Sequence, residues 1–165
     1  MYGCENRHDP ALFLKERVLI YMLSQTSPDK IHYPSCKFKV QRYKEGTGRI
    51  VMWAQGLVNS FTLEASLCGT TMVNPPKHFS TRDLKDISHQ FCDALLDYCD
   101  PDPTKYITAC NDVENHMRQK LMAALGRTDM ASRSGEESRV FTGNEELTDL
   151  LAESLLVGEG DDSSR

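Results

Sequence analysis

Apolar residues along this chain recur at two spacings, every three to four positions and every second position. Proline and glycine mark where one gives way to the other. From Ala11 to Ser24, Leu14, Val18, Tyr21 and Met22 share one helical face. Leu12, Phe13, Leu19, Ile20 and Leu23 leave few polar positions elsewhere, so the pattern predicts a largely buried helix over 10–24. Asp9-Pro10 provides a helix start, with aspartate as N-cap and proline in the first turn, and Ser27-Pro28 provides its end. Leu84, Ile87, Phe91, Leu95 and Tyr98 predict a second helix over 81–99, opened by a capping box from Ser80 to Asp83. Asp100-Pro101-Asp102-Pro103 stops it. A weaker stripe of Tyr106, Val113, Met117 and Leu121 predicts a third helix over 104–125, closed by Gly126.

The spacing of two appears at Ser60–Ser66, where Phe61 and Leu63 face one way and Thr62, Glu64 and Ser66 the other, predicting a strand. Residues 29 to 44 read as coil with a short strand at 37–41. Gly46-Thr47-Gly48 is a flexible connector, and Gln55-Gly56 turns the chain. Ile50 to Ala54 is too short for periodicity to separate helix from strand. Cys68 to Pro76 reads as loop. Residues 127–143 are polar and rich in Ser, Gly and Arg, which predicts disorder. Leu147, Leu150, Leu151 and Leu155 give a short acidic amphipathic helix over 145–156, followed by a frayed tail. The organisation expected is thus a packed part, 1–125, and an acidic appendage, 126–165.

Charge sharpens that division. The formal net charge is −5, and residues 126–165 hold ten acids against four bases. The packed part is close to neutral, but residues 30 to 49 carry Lys30, Lys37, Lys39, Arg42, Lys44 and Arg49 against Glu45 alone. This local excess suits an acidic partner or a solvated basic loop, whereas the whole-chain charge argues against general nucleic-acid binding. No apolar run approaches the length that crosses a bilayer, and no secretory leader is recognisable. The six cysteines form no CxxC pair, and Cys92 and Cys99 stand about 10 Å apart along a predicted helix. They read as reduced thiols of a cytoplasmic protein.

The candidate for chemistry is Glu64, a carboxylate near the end of the predicted strand, just before a Cys-Gly loop. The carboxyl ends of strands in α/β sheets are where sites form. None of the five histidines is followed three residues later by glutamate, so the HxxE and HExxH zinc pairs are absent.

Residues 46–69, GTGRIVMWAQGLVNSFTLEASLCG, resemble the catalytic-glutamate block of the zinc carboxypeptidases, and more narrowly of the cytosolic carboxypeptidases that act as tubulin deglutamylases. The opening Met-Tyr-Gly-Cys resembles the stretch after the third zinc ligand in that family. HFSTRDLKDISHQFCDALLDYCDP, residues 78–101, is similar to its closing helix, nearest to the type-2/type-3 branch. The resemblance covers about residues 1–125. It implies an α/β fold: the C-terminal portion of an α/β/α zinc-carboxypeptidase domain with a mixed sheet, followed by a mostly disordered acidic tail.

It further implies that Glu64, in SFTLEAS, is the general base and then general acid of a metallocarboxypeptidase. Arg49 falls where this subfamily is thought to read an acidic C-terminal side chain, since a guanidinium pairs bidentately with a carboxylate. Lys44 adds positive field at the same mouth. The implied partners are polyglutamylated tubulin and other acidic C-terminal tails, with no nucleic acid and no membrane. Zinc is the implied cofactor of the full-length enzymes. A catalytic zinc takes three protein ligands, though, and the family's ligands precede Met1 in its order, so the expectation for this chain is no catalytic zinc and no turnover. The alternative is a non-catalytic binding module for acidic protein tails, using the 30–49 stretch.

Overall fold

The computed structural model describes residues 1–134 apart from His8 and Leu67, with side chains up to residue 123. Contacts divide the chain into two units, 1–113 and 114–165.

In the first unit, helix α1 (Lys15–Thr26) buries Val18, Leu19, Ile20, Met22 and Leu23. At roughly 1.5–3 kcal/mol for each fully buried aliphatic side chain, this helix anchors the unit. It packs on α3 (Thr81–Tyr98) through Leu23 against Ala94, with Ile87 of α3 and Ile31 of the following turn alongside. Val18 and Met22 meet Ala109 from the opening turns of α4 (Thr104–Ser134), and Tyr21, Tyr98 and Tyr106 close around them. The Tyr98 and Tyr106 rings meet edge to face at 5.3 Å. Ser27 ends α1 as expected, and its hydroxyl donates to Gln90 Oε1 at 2.6 Å, fastening that end to α3.

The start of α1 differs from the sequence expectation. Residues 10–14 form turns, and the helix begins only at Lys15 because Leu14 takes a left-handed φ of 64°. Asp9 does act locally, accepting the Ala11 N–H at 2.9 Å, but it closes a separate turn. The ambiguous 50–54 segment is helical, within α2 (Gly48–Ala54). The capping box is formed: Ser80 Oγ accepts the Asp83 N–H at 3.3 Å and Asp83 Oδ2 accepts the Ser80 N–H at 2.8 Å.

Three expectations are corrected. The strand at 60–66 is absent, since only Thr62 is paired, exchanging two 2.9 Å backbone bonds with Tyr2. Side-chain alternation makes a strand eligible, but a ladder needs partners along its length, and Thr62 alone has one. Tyr2 also bridges Lys37 in parallel, where the 37–41 strand was expected. Residues 1–5 therefore run between two neighbours of opposite sense. The regular sheet among the described residues is the antiparallel pair β1 (Gly69–Thr70) and β2 (Lys77–His78), within the stretch read as loop. Gly69 is required there: its φ is 149°, and a Cβ would collide with the Lys77 carbonyl. The fold is thus helical with a small antiparallel sheet, compatible with the α/β class, while the mixed pairing is one residue wide.

In the second unit, α4 continues to Ser134. Gly126 lies inside it and does not cap it, and the polar residues 127–134 are helical where disorder was expected. A single glycine costs a helix only about 1 kcal/mol relative to alanine, too little to stop it. The helix expected at 145–156 lies outside the described residues.

Candidate functional site

Glu64 sits between fixed points. Upstream, Ser60 Oγ donates to the Arg49 carbonyl at 2.7 Å and Thr62 is bonded to Tyr2 on both its backbone groups. Downstream, Ser66 Oγ accepts the N–H groups of Cys68 (3.2 Å) and Gly69 (3.3 Å), closing the turn into β1. Glu64 itself is exposed, and among the described residues no side chain bonds its carboxylate. A held backbone and a free carboxylate suit a group that must exchange protons with a bound molecule.

The carboxylate borders an open cleft of about 580 Å³. Leu63, Phe79, Leu84 and Ile87 form its apolar wall, and Lys30, His32, Ser35, Ser66, Thr70 and Asp83 its polar one. His32 Nδ1 and Ser35 Oγ lie 2.6 Å apart. The Lys30 ammonium is paired with both Asp29 carboxylate oxygens, at 3.0 and 3.1 Å. Asp83 is shielded, and its bonds from Lys77 and then Ser80 hold its carboxyl far below the usual carboxylate range. His32 and Ser35 carried no sequence signal, because their neighbourhood with Glu64 is made by the fold across some thirty residues.

Arg49 and Lys44 do not line this cleft. The Arg49 guanidinium turns to the opening segment, where Nη1 donates to the Gly3 carbonyl and lies 3.5 Å from Cys4 Sγ. Cys4 is fully buried, and burial pushes its thiol pKa up against the opposing pull of Arg49. Lys44 is exposed on the 3-10 turn Arg42–Lys44, its ammonium 5.4 Å from the Tyr43 ring centroid. All six cysteines are free.

Among the described residues no three His, Cys, Asp or Glu side chains gather to hold a metal. They do not fit a catalytic zinc, which takes three protein ligands. No helix among them is long and apolar enough to cross a membrane.

The chain matches no protein-family model and no solved structure. Curated relatives decide the matter. It is 50% identical over 137 residues, 80% of the chain, to cytosolic carboxypeptidase 2 of Xenopus tropicalis. It is 42% identical over 162 residues, 92% of the chain, to cytosolic carboxypeptidase 3 of Bos taurus. The chain belongs to the cytosolic carboxypeptidases. Cytosolic carboxypeptidase 1 of Gallus gallus is more distant, at 36% over 57% of the chain, which puts this family member in the branch of types 2 and 3. The chain spans 14% of the length of the frog relative and 16% of the bovine one. The family and branch inferred from the SFTLEAS block and the 78–101 helix are therefore correct.

Proposed function

We propose that this chain carries the proton-transferring glutamate of a carboxypeptidase that removes C-terminal glutamates from polyglutamylated proteins, tubulin among them, in the cytoplasm. The supporting observation is the bovine match, whose 92% coverage takes in Glu64, a carboxylate that borders a cleft lined by residues of both the 30–35 and 63–72 stretches.

Glu64 removes a proton from the attacking water as its oxygen bonds to the carbonyl carbon of the last peptide bond. The same proton then goes to the amine nitrogen as the C–N bond breaks and glutamate leaves. The zinc that the family implies has no ligand set among the described residues, and Glu64's part is its own proton traffic. Arg49 reads the glutamate side chain in this proposal by exchanging its Gly3 contact for the substrate carboxylate, with Lys44 adding field.

The test replaces the matched 137 residues of the frog relative with those of this chain and measures amino-acid release from peptides ending in Glu, Ala or Lys. The chimera should release glutamate preferentially, as should its parent, and Arg49→Asp should move preference toward Lys. A parent that releases glutamate beside a correctly folded chimera that does not would overturn the proposal. Unchanged preference after Arg49→Asp would remove the Arg49 role alone.

A further inference from the structure

Lys15, the first residue of α1, turns its ammonium to a sulfur and not to an acid. Its Nζ lies 3.5 Å from Cys110 Sγ on α4, 95 positions later, and 5.5 Å from the centroid of the Tyr106 ring. Among the described residues no carboxylate lies within ion-pair distance of it. The nearby acids are engaged elsewhere: Glu16 accepts from Asn6 and meets Arg17, and Asp112 accepts the Tyr21 hydroxyl at 3.2 Å. Tyr106 stands four positions before Cys110, so one face of α4 presents both to the lysine. Burial, with Cys110 adding to it, pushes the Tyr106 phenol up to about 12, so no phenolate competes for the ammonium. All three residues are half-buried, belong to the first unit and lie outside the lining of the Glu64 cleft.

The other cysteines lack this arrangement. Cys4 faces the Arg49 guanidinium, a poor nucleophile, and is fully buried. Cys36 meets the chain's opening amine at a longer 3.8 Å. Cys68, Cys92 and Cys99 are exposed, and among the described residues no amine lies within hydrogen-bond distance of their sulfurs. A cationic neighbour and partial exposure set reactive thiols apart from inert buried ones. A nitrogen held against such a sulfur can also capture its oxidised form.

We propose that Lys15 and Cys110 are a redox modification site, joined by a nitrogen–sulfur bond when hydrogen peroxide oxidises the thiol. Sulfur attacks one peroxide oxygen: the S–O bond forms, the O–O bond breaks, and the departing hydroxide takes the thiol proton and leaves as water. Peroxide is reduced by two electrons, and Cys110 is oxidised to the sulfenic acid. Lys15 then releases one proton to solvent and its nitrogen attacks the sulfur. The N–S bond forms, the S–O bond breaks, and hydroxide leaves as water with a second proton from nitrogen. The product is a sulfenamide, which external thiols reduce back to amine and thiol. Its cross-link spans 95 positions and resists unfolding by restricting the unfolded chain.

The test treats the folded full chain with dilute hydrogen peroxide, alkylates the remaining thiols and maps peptides by mass spectrometry without reductant. The expected product joins a peptide containing Lys15 to one containing Cys110, two hydrogens lighter than their sum. It should resist trypsin at Lys15 and separate on adding dithiothreitol. In chain unfolded by urea its yield should drop at least about tenfold, because the pair is no longer held in contact. The treated chain should unfold at higher urea than the reduced chain. Lys15→Arg keeps a positive charge beside the sulfur and offers no amine. There Cys110 should stop at the sulfenic acid, trapped by dimedone, and the urea midpoint should not rise. Cys68→Ser should leave the bridge unchanged. Three results would each overturn the proposal: no joined peptide from the folded chain, equal yield from the unfolded chain, or an equal midpoint gain in Lys15→Arg.

Discussion

Adding one methyl group at Gly3 should destabilise the first unit. A Cβ built there would lie 2.6 Å from Phe38 Cδ1 and 2.9 Å from Cε1, with Phe61 Cε1 at 3.3 Å. Ordinary contacts between carbons are ~3.5–4.0 Å, so the Phe38 ring would have to retreat by roughly 1 Å. It has little room to do so. Phe38 is 1% exposed, and the Arg17 guanidinium lies 4.2 Å from its ring centroid. Overpacking of this kind costs ~1–3 kcal/mol. With a urea slope of ~1–3 kcal/mol per molar, the midpoint should fall by about 1 M. Trp53, the single tryptophan, reports the transition, since its indole N–H donates to Asn6 Oδ1 at 2.8 Å within the same unit. Gly48→Ala is the matched control. Nothing lies within 4 Å of a Cβ there, and Gly48 opens α2, so this alanine should stabilise by about 0.4–1 kcal/mol. A Gly3→Ala protein within about 0.5 kcal/mol of the parent would refute the packing argument, because expected surface effects are of that size.

Ser80→Ala should lower stability by roughly 0.5–2 kcal/mol in the same urea assay by removing the α3 cap, and Ser80→Asp should restore most of it. The depressed Asp83 carboxyl contributes stability that is present above the ordinary unfolded value near ~3.9 and lost as pH falls below it. The destabilisation caused by Asp83→Asn should therefore shrink in acid, and a constant difference down to pH ~2 would contradict this. Burial pushes the Tyr33 phenol up to about 12. Its stabilising share should persist below the unfolded value near ~10 and fade as pH rises toward the folded one, so the alkaline fall in Tm should be shallower in Tyr33→Phe. The purified chain should take up less than stoichiometric zinc by elemental analysis after dialysis, and one tightly held zinc per chain would show a ligand set beyond the described residues.

Helix α3 was fully legible because local signals agree there: a capping box, an apolar stripe at helical spacing, and Asp-Pro punctuation. In α1 the core residues were legible and the start was not, since a left-handed Leu14 is a tertiary choice that no leucine signals. The 60–66 stretch shows the limit of alternation. Its side chains have the strand pattern, yet pairing depends on residues 1–5, some sixty positions away, which supply partners for Thr62 only. The site divides similarly. Glu64 could be named from the SFTLEAS resemblance, while the cleft that brings His32 and Ser35 to it is long-range packing without a local trace. Arg49 carried the right chemistry for a carboxylate, but the sequence gives no sign that its guanidinium bonds the Gly3 carbonyl.

The central claim is that Glu64 moves the proton in peptide-bond hydrolysis, and Glu64→Gln in the frog chimera tests it most directly. Glutamine keeps the shape and cannot accept the proton, so kcat should fall by at least about 100-fold, with KM for a glutamate-terminated peptide changed by less than about threefold. A chimera that keeps its kcat after Glu64→Gln would contradict the account.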